Sequence, residues 1–332
     1  MMRKLSIKYT IFTYFVAMAS FLVGCDTQTN RIVEKYPLEK SLKAKNVNKT
    51  DSLYTMYAVV TDGNNFIFSQ KKKARFFVTT DNSLNITGEL CPAGNGHGEW
   101  NAPIATGQFG KQGSTPCAYI LERSTHSLYM QPTNGNNPTL IESFKSKDIT
   151  SIRYAFKTSD NSFAGALDDD KCEFFTYRKT DKHVETFEHP IPNTDKMGNM
   201  SHILLQTLAT YNDNDGKIAI CYFTFPLIVV RDSEGKIEQT IQVEKTLPQY
   251  TDDNAVEPHF CFKAIKSDSK YIYALYSPSE QSAKEYILVF SWAGDAVAKY
   301  AISPSMDFAV DSRNSRFVAI DDETGRCVEY KY

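Results

Sequence analysis

The sequence predicts an all-β protein: a six-bladed β-propeller of four-stranded blades, its ring closed by an N-terminal strand that completes the last blade. Three observations carry this reading. The 332-residue chain contains 21 Phe and 19 Tyr beside frequent Val, Ile and Thr, a composition that favours strands over helices. A unit of strand, polar turn and strand recurs over residues 75–87, 127–135, 173–184, 227–237 and 286–297. Its turn centres fall near residues 82, 134, 181, 234 and 294, and a spacing of about 50 residues is what a four-stranded blade needs. Finally, the C-terminal stretch supplies three strands and then stops, so the missing fourth strand must come from elsewhere in the chain.

From the N-terminus, Arg3, Lys4 and Lys8 precede an uncharged run over residues 9–23, the pattern of an export signal too short to span a bilayer comfortably. The run ends in Leu22, Val23, Gly24 and Cys25, which resemble the lipobox of bacterial lipoprotein precursors. That resemblance implies removal of residues 1–24, lipidation of Cys25, and residence in the cell envelope on a membrane anchor. Residues 25–30 then form a short lipidated tether and residues 31–332 one propeller domain, since no Pro-rich or Gly/Ser-rich linker divides them.

Residues 31–38 have strand character without a hairpin partner, and are expected to be the strand that closes the sixth blade. The first blade follows, with strands expected over 54–60 and 66–69 ahead of the 75–87 hairpin; in the fourth, 203–210 and 218–223 precede the 227–237 hairpin. Each hairpin turn carries the Asn, Asp or Gly that a tight reversal demands. Closing the ring removes the most exposed sheet edges, which otherwise template aggregation.

Between the first two blades lies Gly94, Asn95, Gly96, His97, Gly98, Glu99, Trp100, Asn101, Ala102, Pro103. It is similar to the Gly-x-Gly-x-Gly-x-aromatic-x-x-Pro linker of NHL-type propellers and of the TolB-like six-bladed propeller lipoproteins of Bacteroidetes-type bacteria. His97 stands where those lipoproteins more often carry Pro, and Trp100 where Phe is usual. With the order of lipobox, closing strand and strand quartets, the resemblance covers essentially the whole mature chain. It implies fold and location, and no common activity comes with it.

Charge excludes one class of partner. Lys and Arg number 37 against 39 Asp and Glu, so the net charge of −2 offers no basic footprint for a nucleic-acid backbone. Six cysteines follow Cys25, at 91, 117, 172, 221, 261 and 327; no two are closer than 26 residues, which excludes a CxxC metal or redox site. Most read as small buried hydrophobes.

Any site is expected where the outer-to-inner loops (including 91–102, 190–202 and 243–259) and the second-to-third-strand loops (including 70–74, 122–126, 168–171 and 277–284) meet at one channel mouth. The candidates there are His97, Glu99, Trp100, Arg123, His202, Tyr250, Glu257 and His259. Three imidazoles with Glu257 suggest a divalent-cation site, but no short metal-ligand spacing supports it, so no metal or other cofactor is assigned. Trp100, Arg123 and Tyr250 suit a carbohydrate or peptide groove. The run Asp168, Asp169, Asp170 reads as a solvated turn. The stretch 212–216 reads as a hairpin, because Tyr211 and Tyr222 occupy the positions where a calcium loop needs acidic ligands.

No nucleophile elbow, phosphate loop or zinc-protease motif is present. The expected function is therefore that of a monomeric, membrane-anchored binding or interaction module for an envelope protein, peptide or glycan. The alternative is a metal-dependent hydrolase or lactonase of the six-bladed type. For that reading the sequence offers few inner-strand ligands, chiefly Asp307 and Asp311 with Arg153.

Overall fold

A computed structural model of the chain describes residues 29–47, 55–71, 74–96, 98–251, 257–279 and 282–332. Three short strands come first: β1 (Thr29–Ile32), β2 (Leu38–Ser41) and β3 (Lys45–Asn46). Six sheets then follow in chain order. Blade 1 is β4 (Met56–Thr61), β5 (Asn65–Gln70), β6 (Arg75–Asp81) and β7 (Ile86–Pro92), and blade 2 is β8 (Pro103–Gln112), β9 (Thr115–Glu122), β10 (Ser127–Pro132) and β11 (Thr139–Ser143). Blade 3 is β12 (Ile152–Lys157), β13 (Ser162–Leu167), β14 (Cys172–Arg178) and β15 (His183–Glu188). Blade 4 is β16 (Thr207–Asn212), β17 (Lys217–Tyr222), β18 (Leu227–Arg231) and β19 (Ile237–Gln242), and blade 5 is β20 (Phe262–Ser267), β21 (Tyr271–Tyr276), β22 (Glu285–Ser291) and β23 (Ala296–Ile302). Blade 6 is β24 (Ser305–Asp311), β25 (Arg316–Asp321) and β26 (Cys327–Lys331), completed by β3. The molecule is a six-bladed β-propeller.

All five expected turns fall between the third and fourth strands of their blades, between Asp81 and Ile86 in blade 1 and between Ser291 and Ala296 in blade 5. Gly235 (φ 93°) and Gly294 (φ 84°) take the left-handed conformation that two of these reversals require. At Gly235 a Cβ would also stand 2.2 Å from the Phe187 ring.

Closure comes from the N-terminal segment, but through different residues from those expected. Residues 31–38 do not close blade 6. Instead β1 lies parallel on β19 as a fifth strand of blade 4, β2 lies parallel on β23 as a fifth strand of blade 5, and Lys45 and Asn46 pair antiparallel with Glu329 and Val328 of β26. The physical reason is reach. The closing strand must turn directly into the first inner strand, and nine residues lie between β3 and β4, close to the ten between β7 and β8. The segment ahead of it is left to run along the outer edges of blades 4 and 5, where it covers open backbone groups. A second correction concerns residues 203–206: the chain forms a short helix, α1 (Ser201–Leu204), and the inner strand starts only at Thr207.

The core sits between blades. Ile228, Phe262, Ile272 and Phe290 pack blade 4 on blade 5, and Leu275, Ile287, Phe308 and Phe317 pack blade 5 on blade 6. Phe66, Phe68, Val318 and Ile320 join the last blade to the first. A buried polar network adds to the seam between blades 3 and 4. Glu173 (β14) accepts from Arg231 Nη2 at 2.7 Å and Nε at 2.8 Å and from the Tyr222 hydroxyl, while the Arg231 guanidinium lies over the rings of Phe174 and Phe187. Among the described cysteines, Cys91, Cys117, Cys221, Cys261 and Cys327 are buried, Cys172 is half-buried, and none is paired.

A candidate binding site in the central channel

The inner strands β4, β8, β12, β16, β20 and β24 surround the axis. Four of them begin with the same irregularity: a register shift between Met56 and Ala58, Ile152 and Tyr154, Phe262 and Ala264, and Ser305 and Asp307. A bulge re-aims the side chain of the extra residue. The extra residues here are Tyr57, Arg153, Lys263 and Met306, and all four line one cavity of about 280 Å³ in the channel. Deeper in the same cavity are Tyr154, Lys266 and Asp307, and at its other end Thr61, Thr106, Thr210 and Ser267.

Its electrostatics are uneven. The cavity is lined by three cations, Arg153, Lys263 and Lys266, and by a single carboxylate, Asp307. The counter-ions of Arg153 and Lys263 lie outside the lining, whereas that of Lys266 is Asp307 itself. Asp168, on the β13–β14 loop, takes Arg153 Nη1 at 3.0 Å and Arg123 Nη2 at 2.9 Å. Glu285 and Asp322 take Lys263 Nζ at 2.6 and 2.8 Å. Burial works to lower the Lys263 ammonium, but its hydrogen bonds to Asp322 and Glu285 outweigh it and leave the pKa raised, so this cation stays charged. The Arg153 guanidinium lies 5.0 Å from the centre of the Phe223 ring.

Asp307 is 5% exposed. Its Oδ2 accepts from Lys266 Nζ at 3.0 Å and from the Val59 amide at 2.8 Å, whereas Oδ1 has no partner. Burial pushes its pKa up against the opposing pull of Lys266. Tyr154 is held above its ordinary value, first by burial, with the charge of Arg153 pulling the other way and that of Asp307 adding to the rise.

The candidates read from the sequence do not assemble into one site. Cys25 and His97 lie outside the described residues. Glu99 folds its own loop, accepting from the Gly96 amide at 2.7 Å, and Trp100 is buried edge-on against Tyr129 at 4.8 Å. Both border a separate cavity of about 150 Å³ between blades 1 and 2. Arg123 is engaged by Asp168, as above. His202 is exposed on α1, and Glu257 is exposed. Tyr250 and His259 border a third cavity, of about 290 Å³, where the Tyr250 hydroxyl donates to Thr224 O and the second ring nitrogen of His259 bonds Ser277 O at 2.8 Å.

Of the inner-strand groups named from sequence, Arg153 and Asp307 do face the channel. Asp311 does not; it is fully buried and holds Arg316 Nε at 2.8 Å. Asp168 is not merely a solvated turn residue, since it orders two arginines. The stretch 212–216 is a hairpin turn, with the Gly216 amide bonded to Asn212 O at 2.9 Å. Sequence reasoning missed Tyr57, Tyr154, Lys263 and Lys266. The polar or aromatic residue at the second position of three inner strands, Tyr57, Arg153 and Lys263, was the available signal.

Fold and site together define a six-bladed propeller with a cation-rich channel. No protein-family profile matches the sequence, and no curated protein matches it. Solved structures are similar in fold. A member of the DUF4221 family from Bacteroides vulgatus superposes with a TM-score of 0.54 at 11% identity, over 90% of this chain and 97% of that one. A putative exported protein from Bacteroides fragilis superposes with a TM-score of 0.54 at 8% identity, over 91% and 98%. A luciferin-regenerating enzyme does so with a TM-score of 0.52 at 9% identity, over 88% and 96%. At such identities the likeness is one of fold.

Proposed function

We propose that this chain is a binding module of the bacterial cell envelope, a monomer tethered by lipid on Cys25, which receives its ligand in the channel of the propeller. The observation that carries the reading is the set of bulges that turns Tyr57, Arg153, Lys263 and Met306 from four blades into one cavity. Bulges placed at the same step of four strands turn four side chains toward the cavity, and of these Met306 also packs against the core between the last and first blades. The lipobox, the TolB-like order of elements and the exported character of the Bacteroides fragilis protein support the location.

The lining favours binding over metal-dependent hydrolysis. A divalent cation in the channel needs several acidic or imidazole ligands, and the lining offers Asp307 alone, already held by Lys266. Among the described residues no group of three His, Cys, Asp or Glu side chains is placed to hold a metal.

Native mass spectrometry of the protein isolated from its own membranes tests the reading, with Ala58→Trp as the channel-filling variant. A molecule retained by wild type and lost from the folded variant is the expected result. Equal retention by both, or none by either, would sink it. Palmitate labelling that disappears in Cys25→Ser tests the anchor.

A further inference from the structure

The two ends of the cavity differ in what they still lack. At the end lined by Thr61, Thr106, Thr210 and Ser267, every hydroxyl is spent inside the protein: Thr61 donates to Asn65 O, Thr106 to Tyr119 O and Ser267 to Tyr211 O, and Thr210 pairs with Ser267 at 2.8 Å. Toward the bulged end, demand is unmet. Arg153 Nε is a buried donor without an acceptor, and Asp307 Oδ1 is a buried acceptor without a donor. The Asp307 side chain is only 7% exposed, and it lines the cavity. Buried groups left in this state are costly unless something enters to satisfy them.

We infer that the channel binds an anionic monosaccharide, a sugar ring carrying a carboxylate or phosphate, with Arg153 and Lys263 on the anionic group and Asp307 Oδ1 accepting from a ring hydroxyl. This rests on the reading of the chain as a binding module and gives that module its ligand class. Charge sets the first half. Three cations and one carboxylate face inward, while the carboxylates that balance Arg153 and Lys263 stand outside the lining, so an anion in the cavity meets positive charge first. The Arg153 fork matches the planar geometry of a carboxylate and equally suits a phosphate.

Asp307 sets the second half. A ligand ammonium directed at Oδ1 would meet the Lys266 ammonium, which sits 3.0 Å from Oδ2 of the same carboxyl group. A neutral hydroxyl donates without that repulsion, so a polyhydroxylated acid fits where an amino acid does not. Tyr57 and Tyr154 supply aromatic faces for the apolar side of a sugar ring. A volume of about 280 Å³ lies just below the range for small-molecule sites, about 300–1,000 Å³, and suits one ring in place of a chain.

Isothermal titration of the full-length protein in detergent decides the matter, with glucuronate, glucose 6-phosphate, glucose and glucosamine as probes. Binding of glucuronate or glucose 6-phosphate is expected, with glucose at least about tenfold weaker, since losing a charge-assisted hydrogen bond costs that much. Which of the two anions binds tighter separates carboxylate from phosphate as the natural group. Arg153→Gln and Lys263→Gln should each weaken the anion about tenfold or more, with partial recovery in Arg153→Lys. Arg178→Gln, on the exposed β14–β15 turn, should leave affinity unchanged, and melting curves check that each variant is folded. Glucose binding as tightly as glucuronate, or glucuronate affinity surviving in folded Arg153→Gln, overturns the inference. If no sugar binds, yet wild type retains another molecule that Ala58→Trp loses, the ligand class is wrong and the binding module stands. If nothing is retained at all, both fail.

Discussion

Replacing Glu173 by Gln removes one charge from the seam between blades 3 and 4 without changing the side chain's shape. Arg231, 4% exposed, would then be a cation enclosed by Phe174 and Phe187 with only neutral acceptors left, the Gln amide oxygen and the backbone carbonyls of Gly235 and Glu188. Breaking a buried ion pair by neutralising one member costs about 3–5 kcal/mol, because the remaining charge stays in a medium that solvates it poorly. Tyr222 adds to the cost. Burial, and then the Glu173 carboxylate, push its phenol well above the ordinary value, so it is a fixed O–H donor aimed at an oxygen whose charge has gone. With an unfolding entropy of about 2 cal/mol/K per residue over about 300 residues, the loss corresponds to a melting temperature lower by roughly 5–8 °C. Calorimetric melts of wild type and Glu173→Gln measure it. The double variant Glu173→Gln with Arg231→Met removes the stranded charge and should recover most of the stability. A single variant that melts with wild type, or a double variant worse than the single, would show that the seam is held by its aromatic packing and not by the ion pair.

Three further outcomes follow from the structure. Gly165→Ala should destabilise by about 1–3 kcal/mol and disturb the channel, since its Cβ would stand 2.0 Å from Tyr154 O; urea denaturation reads the first effect and ligand titration the second. Cys172 should be the first of the six described thiols to react with an alkylating reagent, with the other five reacting only on unfolding, because burial holds the thiols of Cys261 and Cys327 up to about 12; mass spectrometry of partly labelled protein orders them. Asp307, whose pKa burial raises above 3.8, binds its proton more tightly in the folded than in the unfolded chain, so its contribution to stability is present at low pH and is lost as pH rises through the raised value. Melts across that range should show this decline in wild type and not in Asp307→Asn.

The hairpins were legible because their signals are local. An aromatic or β-branched strand, a turn with Asn, Asp or Gly, and a second strand sit within a dozen residues, and their spacing counts blades directly. The linker at 94–103 was legible for the same reason: Gly94, with φ 155° and Glu99 packed against it, needs glycine for purely local geometry. Closure was only half legible. That an N-terminal strand completes blade 6 follows from counting strands, but three short segments compete for three outer edges. Residues 31–38 have the better strand chemistry, and β3 lies at the right distance from Met56.

The site was less legible still, because it depends on which side chains a bulge turns inward. His202, Tyr250 and His259 are where polar residues usually mark a mouth, but tertiary packing leaves His202 exposed on α1 and puts Tyr250 and His259 beside a separate cavity. Lys263 and Lys266 read as ordinary strand surface until the ring places them on the same cavity as Arg153. The sequence by itself determined the repeat, the blade count and the absence of a basic footprint, since each depends on residues near one another or on totals. Only the tertiary structure decided the path of residues 29–46 and the membership of the channel. Those depend on backbone register between elements up to some 280 residues apart, as where Asn46 meets Val328, and no local propensity encodes that.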